Sequence, residues 1–139
     1  MKKNILGALV GGLTLFGTGA IIYLLLFPQP AYLIEKGVDS CLREQEVIPL
    51  IITMEIIFGL LLTIIFNRWA GITNPQSGLA AGAGIGLLLG LTIGMWEYST
   101  TTIFTVYVIP FYALTFLPRF AAAGAAIAWV LGKLKEKEA

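Results

Sequence analysis

"PQSGLAAGAGIGLLLGLTIGMWEY", residues 75 to 98, carries no charged side chain before Glu97 and sets Gly78, Gly82, Gly86, Gly90 and Gly94 at every fourth position, with Gly84 between them. A run that long and apolar can cross the hydrocarbon core, which takes about 20 helical residues. Positions four apart share one ridge of a helix and drift by about 40° per step, so the glycines trace a groove that another backbone can approach closely. Lipid offers no hydrophobic gain for helix association, which leaves van der Waals contact along small-residue grooves to hold helices together. Each glycine also weakens its own helix relative to alanine, so contact has to replace propensity. The stretch predicts a membrane-spanning helix built to be packed against. Its start is marked by Asn74 as a cap and Pro75 in the first helical position.

The rest of the chain follows the same solvent. Of 139 residues, 58% are hydrophobic and 12% charged, with a net charge of +1. Soluble domains run near 45–50% apolar and about a quarter charged, so lipid is the expected surrounding. Nine scattered Lys and Arg make no clustered cationic face of the kind that phosphate backbones need, which argues against nucleic acid as a partner. The chain has no histidine and one cysteine, Cys41. Haem ligation by His, His/Cys zinc sites, dithiol chemistry and a Ser-His triad are thereby excluded within the chain, and no cofactor, metal site or catalytic residue is expected.

Three further runs flank the glycine stretch. Ile5 to Phe27 is uncharged and is followed by Pro28 and Pro30. It exceeds a signal-peptide core and no A-x-A-like site follows, so it reads as a span despite the preceding Lys2 and Lys3. Val47 to Phe66, with Pro49 tolerated in the first turn, ends at an Asn67-Arg68-Trp69 interface anchor. Ile103 to Gly132 is longer than one crossing and is interrupted by Pro110 and Pro118. Counting back about 20 residues from Lys133 starts the last crossing near Ala113, leaving "IFTVYVIPFY" as an aromatic-rich interfacial or bent helical segment. The expected fold is a single all-α domain: an integral membrane four-helix bundle with spans at about 5–27, 47–66, 76–97 and 113–132.

Orientation follows the distribution of cations. With both termini inside, Lys2, Lys3, Arg68, Lys133, Lys135 and Lys137 face the cytoplasm, while Lys36 and Arg43 lie in an outer first loop. Cys41 falls in that loop, as a free thiol or as a crosslink between two chains that meet there.

The chemistry concentrates on one acid. Glu55 is the ninth residue of the second run, roughly 12 Å deep and close to the midplane. A central acid costs about 2.5–3.5 kcal/mol to insert, against about 0.6 kcal/mol for an average interhelical hydrogen bond. It is therefore expected to face the bundle, to be protonated as a neutral acid, or to have a cation nearby, and Gly59, Thr63 and Asn67 share its spacing-of-four ridge. Arg119, roughly 9 Å into the last span, is the available cation, and both side chains lean toward their N-termini. Glu97, Tyr98, Tyr107 and Tyr112 would rim the same half. For packing, the expected partners of the glycine ladder are the Gly7, Gly11 and Gly19 ridge of the first span and the Gly124, Ala128 and Gly132 ridge of the fourth.

"FGLLLTIIFNRWAGI" (58–72), "GLAAGAGIGLLLGL" (78–91) and "AGAAIAWVLGK" (123–133) resemble a group of small four-span bacterial membrane proteins that carry only a domain-of-unknown-function label. The resemblance covers most of residues 1 to 134. It implies a multi-pass protein of the bacterial inner membrane, with no assigned chemistry and no site residue to carry over. Size and one buried Glu are also similar to the small multidrug transporters. There the essential acid is in the first span, whereas here the first span is uncharged and the acid is in the second. The signatures of a membrane glutathione-dependent enzyme are not found.

Two functions are expected. The first is a non-enzymatic accessory or self-associating subunit whose glycine-rich faces meet a second copy or a larger membrane complex. The second is a small proton- or cation-coupled transporter, or a ligand-binding membrane protein, using Glu55 and Arg119.

Overall fold

In a computed structural model the chain forms four helices, α1 (Lys2–Leu26), α2 (Ile48–Ile64), α3 (Pro75–Thr100) and α4 (Val108–Glu136), with α2 prolonged by a π-helical stretch over Ile65–Ala70. The structure describes residues 2–26, 34 and 47–136. Cys41, Lys36, Arg43 and Lys137 lie outside the described residues. Every helix, α2 with its π-helical extension included, is long and apolar enough to cross a membrane. The protein is an all-α, multi-pass membrane bundle.

Local chemistry explains the helix ends. The Asn74 side chain accepts a 2.8 Å hydrogen bond from the Gln76 amide, which relieves one orphan donor of the first turn of α3. Pro49 and Pro110 fall in the first turns of α2 and α4, where the missing N–H has no intrahelical partner to lose. Pro118 is tolerated inside α4, on an exposed position. Threonines within the helices return their hydroxyls to the preceding turn, as Thr14 does to the Val10 carbonyl, Thr63 to Gly59 and Thr92 to Leu88. A hydroxyl in hydrocarbon needs that internal acceptor.

The glycine ladder packs within the chain. Gly78, Gly82, Gly86, Gly90 and Gly94 are all buried, and a methyl added at any of them would run into α4. Gly78 and Gly82 lie on Gly124, Gly86 on Phe116 and Phe120, Gly90 on Tyr112 and Ala113, and Gly94 on Ile109. The two backbones therefore run antiparallel in near contact from Gly78 to Gly94, a little over four turns. Gly84, off the ridge, is exposed and meets nothing. The α1 ridge does not join this seam, contrary to expectation. Gly7 faces Thr63, Gly11 faces the Ile127 side chain of α4 and then Gly59, Gly12 faces α2 at Glu55 and Ile56, and Gly59 lies against Ala8 and Gly12. All five ladder glycines meet α4 alone, so this groove takes one partner.

Two tight pairs result, α1 with α2 and α3 with α4, and they join mainly through α1 against α4. Between them lies the core of Leu15, Leu62, Phe66, Phe116, Phe120, Ala123, Ile127, Ala128 and Leu131. α4 is the most enclosed helix of the bundle.

Helix bounds differ from the expected spans: α1 already starts at Lys2 and α4 runs on to Glu136. Residues 108–112 are the first turn of α4 rather than a separate segment, α3 continues through Ser99 to Thr100, and helical backbone after α2 runs on to Ala70. The remaining connection, 101–107, holds an isolated antiparallel bridge between Phe104 and Ile34.

Candidate functional site

Glu55 closes the least apolar ridge of α2. Gly59 and Thr63 on that ridge are buried against α1, and Asn67 at its far end donates a 2.8 Å hydrogen bond from Nδ2 to Asn4 Oδ1. The ridge turns Glu55 inward, and its side chain is only 3% exposed.

There it meets Arg119. The guanidinium donates from Nη2 to Glu55 Oε1, forming an ion pair between α2 and α4. Arg119 is 14% exposed. Its Cζ lies 5.2 Å from the centroid of the Phe116 ring, one turn back on the same helix, in cation–π geometry. Phe116 in turn stacks on Phe120, and Phe58 meets Phe120 edge-on at 5.4 Å, so the cation rests on an aromatic shelf. On the other side a methyl at Gly19 would sit 3.0 Å from both Nε and Nη2, which makes that glycine the opening through which α1 accommodates the guanidinium.

The pair is in direct contact and enclosed. Glu55 Oε2 and Arg119 Nε are buried with no hydrogen-bond partner among the described residues. One acceptor and one donor are thus left over beside the bond already made. Glu55 is the eighth residue of α2 and Arg119 the twelfth of α4. Their meeting therefore makes α4 overreach the start of α2 by roughly 6 Å at 1.5 Å per residue.

Glu97 stays apart from the pair. It lies near the end of α3, half-buried and within electrostatic reach of Tyr112. Tyr98 and Tyr107 are exposed at the same end of the bundle. Of the predicted site residues, then, two come together and the third belongs to the rim. Sequence reasoning missed Gly19 and Phe116 as neighbours of the cation. Gly19 stands at the depth of Glu55 when counted from the end of its own span, and Phe116 is three residues before Arg119, so each carried a readable signal.

No family model, curated protein or solved structure matches the chain.

Proposed function

We propose that this is a small, non-enzymatic membrane protein of the proton- or cation-coupled transport class, in which Glu55 and Arg119 form a titratable latch between two helical hairpins. The observation that carries the reading is the enclosed ion pair between α2 and α4 with Glu55 Oε2 and Arg119 Nε left unmatched. Intramembrane ionisable groups are costly, and they occur in ion pathways and proton relays. α2 and α4 otherwise touch sparsely, so the pair is a principal polar link between the halves. Protonating Glu55 removes the attraction, and a competing cation at Oε2 weakens it. Either event removes the polar tie and leaves the α1–α4 contacts and the apolar core to hold the two hairpins together. The resemblance to four-span bacterial proteins and the cation distribution support an inner-membrane location with both termini cytoplasmic.

The test is proton entry into vesicles holding a pH-sensitive dye after an external acid step. Wild-type protein should acidify the lumen faster than empty vesicles do, and the folded Glu55→Met/Arg119→Met protein should not. Equal rates for wild-type and empty vesicles, or full flux in the double variant, would remove the reading.

A second reading, an accessory or self-associating subunit, is favoured by α3. That helix packs chiefly on α4 and leaves Leu79, Gly84, Leu88 and Met95 outward. Its glycine ladder is already occupied within the chain, so a partner would have to use this other face. A photo-crosslinker at Leu88 should then capture a second chain in native membranes, while the same group at Leu114 on α4 should not. Capture of lipid alone at both positions speaks against it.

A further inference from the structure

We infer that the end of the bundle where α1 starts and α4 finishes is a binding surface for acidic phospholipid headgroups. Three structural ties gather cations from separate elements there. The Asn67–Asn4 hydrogen bond sets Arg68 beside the first turn of α1, which carries Lys3. Gly132 lies against the Thr73 carbonyl, bringing Lys133 and Lys135 of α4 alongside the link between the π-helical stretch and α3. The π-helical stretch itself anchors on buried Phe66 and is closed by Gly71 at φ 62, so Asn67, Arg68, Trp69 and Ala70 all face outward.

The surroundings suit a headgroup rather than a soluble anion. Trp69 and Trp129 are 76% and 52% exposed in the same layer, where indole rings settle at the membrane interface. Lys133 Nζ lies 4.1 Å from the Trp129 ring centroid, which fixes an ammonium at that level. Among the described residues the only acid at this end is Glu136. A cluster of cations at headgroup depth is complementary to anionic lipid, and its attraction decays within a Debye length. This inference is independent of the latch.

Full-length protein in a neutral detergent, titrated with phosphatidylglycerol, should gain roughly 3 °C or more in melting midpoint. Equivalent phosphatidylcholine or inorganic phosphate should leave the midpoint unmoved. Raising sodium chloride to about 0.5 M should cut the phosphatidylglycerol gain by half or more. The Arg68→Gln/Lys133→Gln/Lys135→Gln variant should lose most of it, and the salt titration on wild-type protein decides if that variant does not fold. Equal gains with both lipids, a matching gain with phosphate, or a gain indifferent to salt would each overturn the inference.

Discussion

Arg119 is held by a carboxylate, an aromatic face and a glycine, and each of these can be varied separately. Removing one charge of an enclosed pair strands the other, so Glu55→Gln or Arg119→Met alone should destabilise by about 3–5 kcal/mol. Replacing both by methionine should restore most of that loss, because a buried pair is often no better than apolar side chains of similar volume. Melting midpoints of the three variants in one detergent check the pattern; a double variant as weak as either single would refute it. Gly19→Ala tests the glycine. Its methyl should press on the guanidinium and cost about 1–3 kcal/mol, whereas Gly17→Ala, which meets open space, should be neutral or better. In the methionine double variant the Gly19→Ala penalty should vanish, a coupling that a double-mutant cycle measures. An unchanged penalty would mean that Gly19 serves backbone packing instead.

Between helices, the α3–α4 seam depends on missing side chains. Gly82, Gly86 and Gly90 each face α4 backbone, so alanine at any of them should separate the helices and cost about 1–3 kcal/mol. Gly84→Ala meets nothing and should gain slightly through helix propensity. Thermal unfolding of the four variants separates the two cases. The ladder was legible in the sequence because a period of four is a geometric statement about one helix. Its partner was only half legible. The Gly124 and Ala128 ridge of α4 was anticipated, but nothing in residue spacing tells whether Gly7 and Gly11 face α3 or α2. The meeting of Glu55 and Arg119 was legible through matched depth and the shared tilt of the side chains. The role of Gly19 was not, because a glycine that makes room for a guanidinium reads the same as one that makes room for a backbone. The π-helical stretch had no signal either, since "IFNRWA" fits an α-helix equally well.

The whole molecule is two hairpins joined along α4. α1 crosses to α4 through Leu15 and Ile127 in the core, and the ion pair adds the polar link. Such a joint predicts cooperative melting, with the fluorescence of Trp69 beside α2 and of Trp129 on α4 changing together in single-tryptophan proteins. In Glu55→Gln the two transitions should separate; coincident transitions would show that the apolar seam alone couples the halves. The sequence distance between the paired charges bears on biogenesis. Glu55 and Arg119 are 64 residues apart. At 5–20 residues per second, the ribosome delivers the arginine roughly 3 to 13 s after the glutamate. Until the arginine is made the acid of α2 has no Arg119 to pair with, and α3, completed at Thr100, precedes α4. Chains truncated short of residue 119 should accordingly be the ones that membrane proteases clear fastest.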